Sequence, residues 1–213
     1  MKGVKFGNYH SYDDFELVLT SKTIGYPAPK TVTVKLDGAD GVIDLTEYFG
    51  ETKYNNRKLD FEFESIVSMD EFMNLLSDLN NKLHGQKMKI VLDDDSSFYY
   101  YGRCTVSNWK SEGRIFKISI SCDCEPYKYK NSKTSKTDTV EENTVVTYTN
   151  LRKSVTPKFT SDAAVTFTFG SSTYSIESAG TYTFPNVVFT AGNNEITYGG
   201  AATITVEYQE GGL

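Results

Sequence analysis

The clearest pattern in the chain is the run KLDFEFES, Lys58 to Ser65, where Leu59, Phe61 and Phe63 alternate with Lys58, Glu62 and Glu64. A period of two places the apolar set on one face, so the run reads as a half-buried strand. The segment RIFKISISCDC behaves alike: Phe116, Ile118, Ile120, Cys122 and Cys124 share one face, with Arg114 on the same parity at its mouth. Lys117, Ser119, Ser121 and Asp123 take the other face. Between these runs the period changes. Phe72, Leu75, Leu76, Leu79 and Leu83 recur at helical spacing, Ser68 and Glu71 form a capping box before them, and Gly85 stops the helix. Further strands are expected at GVKFG, FELVLTSKTIG, KTVTVKL, KMKIVL and FYYYGRCTVSNW, with DDDSS and KSEG as turns. Pro27 and Pro29 deny their segment a central place in a sheet, and DGADG is turn chemistry.

Pro126 closes this meander, and YKYKNSKTSKTDTVEEN has the composition of a linker. Beyond it the chain is all short strands, among them TVVTYTN and the pair NEITYG and AATITVEYQ, joined by Gly199-Gly200 as a hairpin turn. The expected fold is mainly β with one helix. A first domain over residues 1–126, sandwich-like or split-barrel-like with the helix packed on it, is followed by a linker over 127–143. A small β-sandwich over 144–213 completes the chain. A sandwich of about 70 residues is marginal alone and gains from packing against a neighbour.

Composition narrows the function classes. With 38% hydrophobic residues the chain can build a core, and no apolar run is long enough for a membrane span. The start MKGVKFGNYHSYDDF has no apolar leader, so a soluble protein made in a cytoplasm is expected. A net charge of −6 with scattered Lys and Arg argues against general nucleic-acid binding.

Candidate chemistry is sparse. Three cysteines form no disulfide framework, and Cys122 and Cys124 continue an apolar stripe, so buried thiols are expected rather than a metal pair. An i,i+2 bridge between them would span roughly 6.6 Å, the outer limit of disulfide geometry. Asp93 to Asp95 read as a solvated turn, and the acidic stretch from Asp37 fails the EF-hand spacing at Ala39 and Gly41. His10 lies in a polar break and His84 in the helix's last turn, where a cation is favoured. No hydrolase, phosphate-loop, dinucleotide or zinc-protease signature occurs. No enzyme, cofactor or metal is expected. The remaining candidates are aromatic: Phe98 to Tyr101, Trp109, Tyr148, Tyr174, Tyr182 and Tyr198.

The order of features is similar to that of a known family. YDDFELVLTSKTIGYPAPKT, then a G-x-x-G-x-x-D-L-T core at Gly38, Gly41, Asp44, Leu45 and Thr46, then YNNRKLDFEFE, one capped helix, a meander and the ending NEITYGGAATITVEYQEGGL together resemble the distal tail proteins of long, non-contractile-tailed bacteriophages. The likeness is strongest over residues 1–125; the second domain is shorter than a full galectin-like sandwich. The resemblance implies a structural protein of the virion tail tip, assembled in the host cytoplasm as a homo-hexameric ring that continues the tail tube and lets DNA pass. Its implied partners are the tail tube protein, the tail-tip hub protein and receptor-binding proteins, with no specific nucleic-acid sequence and no membrane. Ring closure is expected through the excursion from Ile24 to Arg57, with Tyr26, Tyr48, Phe49, Tyr54 and Arg57 at the interface, unless these aromatics finish the domain's own core. Tyr174 and Tyr182 are the partner-binding candidates of the second domain. The alternatives are a carbohydrate-binding module of a phage adhesion device and another tail-tube ring protein.

Overall fold

The computed structural model of the chain describes residues 2–48 and 50–213. It separates into two compact units, divided between Lys128 and Tyr129. The first unit contains strands β1 (Val4–Phe6), β2 (Tyr9–His10), β3 (Val18–Ile24), β4 (Thr33–Val34), β5 (Ile43–Asp44) and β6 (Arg57–Ser65). Helix α1 (Met69–Leu83) then leads into β7 (Lys87–Leu92), β8 (Phe98–Glu112) and β9 (Ile115–Cys124). In the second unit follow β10 (Lys128–Lys130, which begins at the boundary), β11 (Thr134–Val140), β12 (Thr144–Asn150), β13 (Lys158–Ser161), β14 (Val165–Phe169) and β15 (Ser172–Ile176). It ends with β16 (Gly180–Thr183), β17 (Gly192–Gly199), β18 (Ala202–Tyr208) and β19 (Gly211–Gly212). A mainly β fold with one helix is therefore borne out.

In the first unit the sheet runs in the order β2-β1-β7-β8-β9-β6-β3, antiparallel at every pairing. The period-two faces of β6 and β9 meet in register, Leu59 opposite Cys122, Phe61 opposite Ile120 and Phe63 opposite Ile118. Those side chains are buried, and α1 adds Phe72, Leu79 and Leu83 to the same core. The helix begins as its sequence dictates. The Ser68 hydroxyl accepts from the Glu71 N–H while the Glu71 carboxylate accepts from the Ser68 N–H. Gly85, at φ +74°, takes the left-handed conformation that ends it. Replacing Ser68 with alanine should cost the first unit about 1 kcal/mol, read as a lower denaturant midpoint at unchanged slope. An unchanged midpoint would mean that packing alone fixes the start of the helix.

The second unit is a β-sandwich of two four-stranded sheets, β11-β18-β13-β16 and β12-β17-β14-β15. Phe159, Ile204 and Val206 from one sheet meet Val146, Phe167, Ile196 and Tyr198 from the other. Two expectations change here. The polar run expected as linker contains β11, which pairs with β18 from Thr134 opposite Tyr208 to Val140 opposite Ala202. It is an edge strand with a single neighbour, held by main-chain hydrogen bonds, and Val140 is its one fully buried position. Gly199-Gly200 does turn the chain, but β17 and β18 do not pair as a hairpin. Gly200, at φ +146°, carries the chain from one sheet to the other.

Candidate functional site

The excursion between β3 and β6 is an arm. Its stem continues the β3–β6 pairing: the Gly25 N–H donates to Lys58, Asn55 to Ala28 and Lys30 to Lys53, at 2.8 to 2.9 Å. Farther out β4 and β5 pair, Thr33 opposite Asp44 and Val34 opposite Ile43. The family-like D-L-T triplet explains itself locally. The Asp44 carboxylate accepts from both the N–H and the hydroxyl of Thr46, which holds that carboxyl below its usual range. The Thr46 hydroxyl in turn accepts from the Val32 N–H, clamping the two sides of the arm together. Gly38 and Gly41, at φ +84° and +77°, make the tip.

Every residue from Ala28 to Asp44 is exposed. Val32, Val34, Leu36, Val42 and Ile43 among them are between 41 and 51% exposed, Tyr26 is 91% exposed and Tyr48 73%. The arm is thus ordered by its own hydrogen bonds while its apolar side chains find no core. Contiguous exposed apolar groups of this kind mark interaction surfaces.

The other expected interface residues fall differently. Phe49 lies outside the described residues. Tyr54 is half-buried at the base of the arm, bridged to Pro29 and edge-on to Tyr127 at 6.1 Å. Arg57 does not belong to an exposed surface, because it shares the inward parity of Leu59 and Phe61 and is 3% exposed. Its guanidinium lies 5.3 Å from the centre of the Tyr100 ring, a cation–π contact that replaces part of its lost hydration. Nε and Nη2 have no hydrogen-bond partner among the described residues.

The sheet face away from the helix is polar. A groove of about 300 Å³ there is bordered by Thr20, Glu62, Glu64, Asn108, Lys110 and Lys117. Lys117 neutralises it from within, 2.9 Å from Glu112 and 3.6 Å from Glu64, and keeps the Glu112 carboxyl below its usual range. The acidic turn after β7 is likewise not simply solvated. Asp93 accepts from the Gly3 N–H and from His10 Nε2, Asp94 pairs with Lys22 and Asp95 with Lys128. His10 Nδ1 meanwhile accepts from the Asp13 N–H, so both ring nitrogens are engaged and neither faces a nucleophile. His84 Nδ1 accepts from the Val106 N–H, joining the helix end to β8. Among the described residues no cluster of metal-ligating side chains occurs.

In the second unit Tyr174 and Tyr182 are half-buried. Tyr174 stacks on Phe167 at 5.2 Å and Tyr182 on Phe184 at 6.4 Å, with its hydroxyl donating to the Ser178 carbonyl. They extend the sandwich core, and no aromatic side chain is exposed among the described residues of this unit.

No family model matches the chain, and no curated protein matches it. Among solved structures it is similar to the crystal structure of the Dit protein (gp 19.1) of phage SPP1, described as a paradigm of the hub adsorption apparatus in phages that infect Gram-positive bacteria. The TM-score is 0.74 at 16% sequence identity, and the match covers 100% of both chains. At that identity the likeness establishes the shared fold.

Proposed function

We propose that this chain is a structural, non-enzymatic component of the tail tip of a long-tailed phage, assembling as a six-membered ring between the tail tube and the adsorption apparatus. The arm carries the reading. It holds seven exposed large apolar side chains, from Tyr26 to Tyr48, on a hairpin stiffened by Asp44 and Thr46. A head-to-tail ring requires two different complementary surfaces per subunit, and an ordered apolar arm supplies one of them. The full-length likeness to a hub protein of a phage adsorption apparatus supports the same reading. In the virion the ring would contact the tube protein above, the hub protein below and receptor-binding proteins at its rim, with DNA passing through. A sugar-binding module would need an aromatic platform, and the half-buried stacks of Tyr174 and Tyr182 do not offer one.

Native mass spectrometry and negative-stain images of the purified protein test the proposal, a closed six-membered ring being the expected result. Tyr26→Ser with Tyr48→Ser should give a monomer with an unchanged circular dichroism spectrum. A wild-type chain that stays monomeric at high concentration overturns the ring, and a ring indifferent to both substitutions removes the arm from its closure.

A further inference from the structure

Cys104 and Cys122 are eighteen residues apart in sequence and directly opposite one another on β8 and β9. The Cys104 N–H donates to Gln86 at 2.9 Å and its carbonyl accepts from the Gly85 N–H at 2.8 Å, so both backbone groups point toward the β7 side. Toward β9, Cys104 and Cys122 are therefore a non-hydrogen-bonded pair. In such pairs the Cα atoms approach to about 4.5 Å, within the range of roughly 4.4 to 6.8 Å that a disulfide spans. The two Sγ atoms are 3.0 Å apart, roughly 1 Å beyond a covalent S–S bond. Both side chains are fully buried.

The third thiol is excluded by the same register. Cys124 faces Gly102, where an added Cβ would lie 2.5 Å from the Cys124 Sγ, so that sulfur occupies the space a side chain would take. We propose that Cys104 and Cys122 form a cross-strand disulfide under oxidising conditions while Cys124 remains a thiol.

A low-molecular-weight disulfide such as oxidised glutathione supplies the oxidant. The thiolate of one cysteine attacks a glutathione sulfur, the glutathione S–S bond breaks, and one glutathione thiolate leaves and takes a proton from water. The second cysteine, deprotonated by solvent base, attacks the protein sulfur of the mixed disulfide and expels the other glutathione thiolate. Two electrons pass from the protein to glutathione, two glutathione thiols are produced and the chain loses two hydrogens. The hydrogen bond to Cys104 and burial push the Cys122 thiol far up. Cys122 therefore holds little thiolate in the closed sheet, and both side chains are buried away from an oxidant there, so exchange proceeds while the strands are open, during folding or local unfolding. The bond would fix the β8–β9 register on the open side of the bulge between Val106 and Asn108. The chemistry is independent of the tail-tip reading. Only its timing rests on that reading, since a particle leaving a reducing cytoplasm meets conditions in which disulfides persist.

Full-length protein, purified reduced and unfolded, is refolded across a series of reduced and oxidised glutathione ratios, acid-quenched, denatured, alkylated and weighed. Oxidising ratios should leave one alkyl group, on Cys124, with the Cys104 and Cys122 peptides joined in a non-reducing digest and a Tm raised by several degrees until dithiothreitol is added. Cys124→Ala should oxidise as the wild type does, and Cys104→Ala should keep two alkylatable thiols. Three alkyl groups at every ratio, glutathione adducts without the internal bond, or a bond to Cys124 overturns the assignment. The readout is on the single chain, so it is unaffected by whether rings form.

Discussion

Alanine at Phe72 should destabilise the first unit by about 4 kcal/mol, as expected for emptying a fully enclosed aromatic site. Phe72 is completely buried, its ring stacked on Phe116 with centroids 4.1 Å apart and 12° between planes, and Trp109 meets it edge-on at 5.1 Å. Two sides of the site are held in place. Phe116 is fixed by the β6–β9 ladder opposite Ser65, and the first turn of α1 is fixed by the Ser68 and Glu71 cap. A cavity that cannot close costs its contacts as well as its transfer energy. Because Trp109 is the chain's single tryptophan and touches the site, its fluorescence during urea unfolding reads the loss directly. A loss below about 1.5 kcal/mol would show that the helix sits loosely on the sheet.

The same contacts show what the sequence makes legible. Period-two alternation in β6 and β9 and the capping box of α1 are local signals, and each produces the element it announces because packing agrees with propensity. The arm shows the limit. Val32, Val34 and Leu36 alternate like a half-buried strand, yet only Thr33 and Val34 pair there and all three apolar residues are exposed. Alternation reports two unlike faces; it does not say what covers the apolar one. Arg57 is the reverse case, since its charge suggests a surface while its parity with Leu59 places it inside, and parity prevails because the strand is continuous.

Pairing across strands is less legible still. Thr134 to Val140 has linker composition because an edge strand of this sandwich needs little beyond main-chain hydrogen bonds and one anchoring valine. Cys104 and Cys122 share no local pattern. Their juxtaposition depends on the register of β8 against β9, including the bulge after Val106, and a shift of one residue would separate them. The D-L-T triplet is visible as a motif, but its work, tying Thr46 to Asp44 and to Val32, depends on a closed hairpin.

Raising the pH above 10 should unfold the second unit, driven by two tyrosines that cannot ionise in place. Tyr148 and Tyr198 are buried between the sheets with their hydroxyls 2.9 Å apart. Burial pushes both up, Tyr198 to about 12 and Tyr148 farther, with the nearby Asp138 carboxylate acting in the same direction. In the unfolded chain both lose their protons near pH 10. Above that pH the unfolded state binds fewer protons than the native state, so stability falls as pH rises. The stabilisation is fully present below pH 10, declines through the pKa of Tyr198 and goes on declining beyond it while Tyr148 stays protonated. Each tyrosine contributes a slope of roughly 1.4 kcal/mol per pH unit in that window, close to 3 for the pair, enough within two units to overcome a small sandwich. Circular dichroism and phenolate absorbance of the full chain, followed together between pH 9 and 13, should show a late cohort of tyrosines ionising only as β structure is lost. Tyr148→Phe should roughly halve the slope, and Tyr148→Phe with Tyr198→Phe should leave mainly the smaller contribution of Tyr208, which burial also raises. If all tyrosines titrate near pH 10 with the sheets intact, the hydroxyl pair is open to solvent and the sandwich core is not closed around it.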